Sequence, residues 1–247
     1  MESKYSQTSI FIILAVVIIA VIITAFISNQ SKTESEIQKA LSQIGSKASA
    51  NSIQSNLYDC LETTSKDSLT IIGIQGGYYE PPEKYFDLGW TFIPYFYDKN
   101  TYLNPSTEKV EEELAKYIDD NLELCVNQIQ DEITLTHDKS KTTAIIEERK
   151  VNFIVDSQIS LKKELTTTIQ LNRPIEIDSK LSEIIELADY ITNEHRENPD
   201  TICISCLAEK AKEKNLQVEI LEFDEQSSLV LIRDTNSDYV FEFLNRY

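Results

Sequence analysis

Basic residues are scarce in this chain: 23 lysines and arginines stand against 41 aspartates and glutamates, for a net charge of −18. The basic residues are also scattered, as at Lys162 and Lys163 or Lys210, Lys212 and Lys214. No stretch forms a face that tracks phosphates, which excludes nucleic acid as an expected partner and makes anionic headgroups poor ones. Histidine is almost absent, with only His137, expected at a strand end, and His195, expected in a polar helix terminus. There is no Gly-x-Ser-x-Gly, His-Glu-x-x-His, Walker or Gly-x-Gly-x-x-Gly pattern and no Asp-x-Asp-x-Asp-Gly calcium loop. No cofactor is implied, and a non-enzymatic role is expected. The adjacent acids Glu111-Glu112-Glu113, Asp119-Asp120 and Glu147-Glu148 point apart on a helix or strand, so they read as solvated faces rather than acid/base couples.

What is present begins with an uncharged aliphatic run from Ile10 to Ile27. At about 1.5 Å per residue, roughly 20 such residues cross a hydrocarbon core of about 30 Å, so Thr8 to Ile27 is long enough to span. A cleaved signal peptide has a shorter apolar region and a small-x-small site, and a core helix of a soluble domain keeps a polar face; neither describes this run. Residues 1–31 are therefore read as a tail and transmembrane anchor, with the lipid bilayer as a partner. The charge signal for orientation is flat, with Lys4 before the span and Lys32 after it. The short tail and the even number of cysteines favour a single-pass protein whose acidic domain, residues 32–247, faces outward from the cell membrane. Other surface proteins or further copies of the chain are the remaining partner classes. The acidity itself is read as a solubility device.

Apolar residues at Ile37, Leu41, Ile44, Ala48, Ile53, Leu57, Cys60 and Leu61 predict an amphipathic stalk helix over about 34–69, with a solvated face rich in serine and asparagine. The segment from Gly73 to Pro82 holds three of the five glycines and reads as a structured turn. Next come Trp90, Phe92, Tyr95, Phe96 and Tyr97, which together with Tyr78 and Tyr79 form either a carbohydrate- or protein-binding surface or a long loop pinned to the core by its own rings, the latter preferred. Pro105 to Glu108 opens a helix capped by Ser106 or Thr107, with Val110, Leu114, Tyr117, Ile118, Leu122 and Cys125 on one face. From about Glu132 the period becomes two, through Ile133 and Leu135, Val151 to Val155, Ile159 and Leu161, and Ile169 and Leu171, with Asp156-Ser157-Gln158 read as a hairpin turn and Pro174 as a stop. Ser179 caps a helix that buries Leu181, Ile184, Ile185, Ala188 and Ile191. Strands follow at 218–223, 229–232 and 239–244. This order predicts an α+β fold with a mostly antiparallel sheet packed by helices.

Four cysteines leave three readings open. In an oxidising exterior Cys60 pairs with Cys125 and Cys203 with Cys206, the preferred connectivity because it keeps near neighbours together. A four-cysteine zinc site needs two short knuckles where the chain has one. A thiol oxidoreductase is the third reading, since Cys203-Ile204-Ser205-Cys206 opens a helix, although without a βαβ context.

The N-terminus Lys4-Tyr5-Ser6-Gln7-Thr8-Ser9-Ile10-Phe11 resembles the Gln-x-Ser signal of archaeal class III type IV pilin-like proteins, with Ser6 where that pattern carries Gly and Phe11 where it carries Glu. The resemblance implies cleavage before Gln7 and a filament subunit. Across most of its length the chain is similar to uncharacterised single-span surface proteins of DPANN-type archaea, through Gln7 to Phe11, Gln75 to Tyr78, Pro94 to Phe96, Pro105-Ser106 and the spaced cysteines ending at Cys125. That likeness implies an archaeal surface protein without assigning it a role; the span, the cysteines and the missing catalytic signature lead to surface structure or adhesion as the expected role.

Overall fold

The computed structural model describes residues 50–127, 134–137, 139–162, 166–197 and 203–246. All of these belong to one unit, 50–247. The apolar run and the first half of the expected stalk lie outside the described residues, as do Ile133 and the loop from Asn198 to Asp200. Among the described residues no helix is long and apolar enough to cross a membrane.

Helix α1 (Ala50–Ile74) buries Ile53, Leu57, Leu61, Leu69 and Ile72 along one stripe. It continues past Leu69 because Ile72 extends the stripe by another turn. Its small hydroxyl residues are not all solvated as expected: Ser65 and Ser68 are fully buried and donate to the carbonyls of Leu61 and Ser65 at 2.8 and 2.7 Å. Each hydroxyl finds its acceptor on its own helix, which is how a polar side chain enters a core at little cost. The helix ends where Gly77 N–H reaches back to Ile72 O at 2.8 Å, a closure that uses left-handed residues. Gly76 has φ +55°, and a Cβ there would lie 2.6 Å from Glu242 O. Both conditions demand glycine, and they seat this turn against the last strand.

Strands β1 (Tyr85–Asp87), β2 (Phe92–Asp98) and β3 (Thr101–Tyr102) come next. β2 is buried at every position, so the aromatic segment expected to be a pinned loop is instead a central strand. Helix α2 (Thr107–Asn127) starts as the sequence indicates, with Lys109 N–H donating to Ser106 Oγ at 3.2 Å. Strands β4 (Thr134–His137), β5 (Lys141–Ile146), β6 (Lys150–Lys162), β7 (Thr166–Leu171) and β8 (Ile175–Asp178) build one antiparallel sheet around β6, whose first half pairs with β5 and β8 and whose second half pairs with β4 and β7. β6 passes straight through Asp156-Ser157-Gln158, which is not a turn. Ser157 is buried in phase with Val151, Phe153, Val155 and Ile159, so the alternation never breaks.

Helix α3 (Leu181–Glu197) is capped by Ser179, whose Oγ accepts from Leu181 N at 3.2 Å. Helix α4 (Ile204–Glu213) precedes β9 (Leu216–Asp224), β10 (Ser227–Asp234) and β11 (Val240–Arg246). The second sheet runs β1-β2-β11-β10-β9, with β3 on β2. All its pairs are antiparallel except β2 with β11, so the fold is α+β with mostly antiparallel sheets. On one face Phe96 stacks on Phe243 with centroids 4.2 Å apart, and Phe241 meets Phe96 edge-on. The other face carries Ile93, Tyr95, Leu229, Leu231, Val240 and Leu244, with Leu88, Leu103 and Phe223 packed against them.

Candidate functional site

The four cysteines sit at two sites of opposite character. Cys60, on α1, is joined to Cys125, on α2, with Cα atoms 5.7 Å apart. Cys125 is buried beside Leu122 and Val126, and Thr64 Oγ1 lies 3.5 Å from its sulfur. The bridge closes 65 residues and ties the two helices side by side. On a chain-entropy account such a loop contributes about 4 kcal/mol. Cys203 and Cys206 are joined across a separation of 3 residues, with Cα atoms 5.3 Å apart. Cys203 is the N-cap of α4, its sulfur accepting from Cys206 N at 3.3 Å. Cys206 is exposed and Cys203 half-buried.

The seven candidate aromatics are not gathered into a surface. Tyr78, Phe92, Tyr95, Phe96 and Tyr97 are buried. Tyr78 donates its hydroxyl to Leu103 O at 3.1 Å, and burial followed by the nearby Glu113 carboxylate pushes its pKa up to about 12. Tyr97 donates to Asn100 Oδ1 at 3.1 Å, while Tyr79 packs edge-on against Tyr117 of α2. Only Trp90 stays well exposed, at 57%. Tyr85 and Phe86, on the edge strand β1, are exposed near it in sequence, with Phe86 edge-on to Phe223 of β9.

The acids of α2 are placed differently from the solvated face expected of them. Glu111 accepts from Ile146 N at 2.8 Å, and Asp119 accepts from Thr142 N at 3.0 Å and from its hydroxyl at 2.7 Å. Glu113 is buried, accepts from Tyr79 N and Glu80 N at 2.8 and 3.0 Å, and pairs with Lys109 at 2.6 Å. Burial pushes the Glu113 carboxyl up, but Lys109 and the two amides outweigh it and hold it below the usual carboxylate range. These carboxylates are structural: they satisfy backbone donors of a strand edge and of the loop after α1. The spacing of Glu111 and Asp119, two helical turns apart, was the signal in the sequence. The strand they serve was not visible there.

His195 is 0% exposed, not part of a polar terminus. Its Nδ1 lies 2.7 Å from Asn245 Nδ2 of β11, and burial lowers its pKa to about 4. Neutral imidazole is the form that this site holds. Asp98 of β2 accepts from Arg246 Nε at 2.6 Å, and that bond, more than the nearby lysines, keeps its carboxyl below the ordinary range. Half-buried Glu242 of β11 is raised to about 7 by desolvation, against the pull of Arg233. Among the described residues no group of histidine, cysteine and acidic side chains is arranged to hold a metal ion.

Comparison of the chain with protein-family models, with curated proteins and with solved structures finds no match.

Proposed function

We propose that this chain is a single-pass, membrane-anchored protein of the cell surface, with residues 32–247 outside the membrane acting in surface structure or adhesion. The observation that carries this reading is the pairing of Cys60 with Cys125, which fastens the helix following the apolar run to the body of the domain. Disulfides form and persist in oxidising compartments, which suits a domain outside the membrane. The uncharged run Ile10 to Ile27 supports the anchor, and the acidity beyond it supports a solvated, outward-facing surface. Among the described residues, exposed Trp90, Tyr85, Phe86 and Tyr102 are aromatic side chains available for contact with another surface.

Protease added to intact cells tests this reading. The chain is expected to resist alkaline extraction from membranes, and residues beyond the anchor are expected to be cut from outside. Solubility after alkaline extraction, or protection from the protease, contradicts it.

A second reading, a pilin-like filament subunit, is favoured by Gln7-Thr8-Ser9 running directly into the apolar segment. It requires a mature chain beginning at Gln7 and incorporation into purified surface filaments.

A further inference from the structure

The two disulfides differ in exposure. Cys125 is buried and Cys60 half-buried, and their bridge lies between two packed helices. Cys206 is exposed, and the residues between it and Cys203 are exposed as well, Ile204 at 65%. Around the open bridge the first turn of α4 carries no acidic residue, although the chain is acidic throughout. The N-terminal end of that ten-residue helix therefore keeps its positive field. Cys206 N–H is already aimed at the Cys203 sulfur at 3.3 Å, and Ser205 Oγ lies 3.5 Å from it. A thiolate released at Cys203 is met by donors in place, which is the requirement for a good leaving group in thiol–disulfide exchange.

We propose that Cys203–Cys206 is an exchange-competent disulfide that oxidises cysteine thiols of partner polypeptides, with Cys206 the sulfur attacked and Cys203 the sulfur released. The partner thiolate attacks Cys206 Sγ along the S–S axis. The Cys203–Cys206 bond breaks, a mixed disulfide forms between the partner and Cys206, and the Cys203 thiolate keeps its bond from Cys206 N–H. A second thiolate of the same partner then attacks the partner's sulfur in the mixed disulfide and releases Cys206. The partner dithiol becomes a disulfide, and its two electrons and two protons end on Cys203 and Cys206 as a dithiol. This reaction goes beyond a surface role and does not rest on it.

Equilibration of the full chain in mixtures of reduced and oxidised glutathione, followed by acid quench, alkylation and peptide mapping, tests the proposal. Cys203–Cys206 is expected to open at a ratio of reduced to oxidised glutathione about tenfold lower than the ratio that opens Cys60–Cys125. Opening of the two bridges together overturns the proposal, as does a Cys203–Cys206 bridge that outlasts the other. Direction is read from the mixed disulfide: brief reaction of the wild-type bridge with reduced glutathione, acid quench and alkylation is expected to find glutathione on Cys206 with Cys203 alkylated about tenfold more often than the reverse, and equal or reversed occupancy overturns the assignment of roles.

Discussion

Asp119 of α2 holds Thr142 of β5 by both of its donors, accepting the backbone amide at 3.0 Å and the hydroxyl at 2.7 Å on one carboxylate oxygen. Eight residues further back along the helix, Glu111 does the same for Ile146 N, four residues further along the strand. Eight helical residues advance about 12 Å and four strand residues about 13 Å, so an antiparallel helix and strand stay in register over this interval. Midway, the helix carries Ala115 and the strand Ala144, small side chains that let the two lie close. Among the described residues β5 pairs only with β6, so its other edge would otherwise be left unpaired. The helix closes that edge with carboxylates.

Asp119→Ala is expected to destabilise the domain by about 2 kcal/mol in urea unfolding, because an edge amide and a buried hydroxyl lose their acceptor. Asp119→Asn is expected to recover part of that loss. A change below about 0.5 kcal/mol in the alanine variant, typical of an unconnected surface site, contradicts the edge-closing role.

Replacing both Cys60 and Cys125 by serine is expected to cost about 4 kcal/mol, and replacing Cys203 and Cys206 only about 2, since the first bridge closes far more chain than the second. Thermal unfolding of the two double variants checks the order. Equal losses contradict the division into a structural and an accessible bridge.

The buried pair of His195 and Asn245 gives the domain an acid limit. With its pKa lowered to about 4 by burial, His195 is neutral in the folded state where the unfolded chain already protonates it. Its contribution is complete above pH about 6.5 and is lost as pH falls from there to about 4, reaching on the order of 3 kcal/mol. Urea unfolding at pH 7 and pH 5 is expected to show this slope, flattened in His195→Gln. An unchanged slope in the variant assigns acid sensitivity elsewhere.

Glu242 acts with the opposite sign. Desolvation raises its carboxyl to about 7, so between pH about 4.5 and 7 the folded state holds a proton that the unfolded chain has lost. Its effect is least harmful below pH 4.5 and costs stability as pH rises to 7. Glu242→Gln is expected to stabilise the domain at pH 8 by on the order of 2 kcal/mol, with the gain fading at pH 4.5. A loss at pH 8 contradicts the sign.

Local signals in the sequence carried to the structure wherever one element decides its own fate. Ser106 and Ser179 cap the helices they were expected to cap, Cys203 opens α4, and the stripe from Leu181 to Ile191 is buried. The pairing of Cys60 with Cys125 followed from counting neighbours. What was not legible depends on partners distant in the chain. β2 reads as a loop because burial on both faces removes the alternation that marks a strand, and its parallel partner β11 lies at the other end of the domain. Asp156-Ser157-Gln158 has the composition of a turn, yet keeps the phase of the strand around it. Glu111, Glu113 and Asp119 look like a solvated face until β5 and the loop after α1 are set beside them. His195 sits among Glu194, Arg196 and Glu197, and only Asn245 shows which way it faces.

The central proposal, an anchored domain on the outer side of a membrane, is tested most directly by intact and peptide mass spectrometry of the chain from native membranes, without reduction. The predicted result is a chain beginning at Met1 with Cys60 linked to Cys125 and Cys203 linked to Cys206. A chain beginning at Gln7 moves the assignment to a pilin-like subunit. Four free thiols contradict an extracytoplasmic domain and turn the topology over.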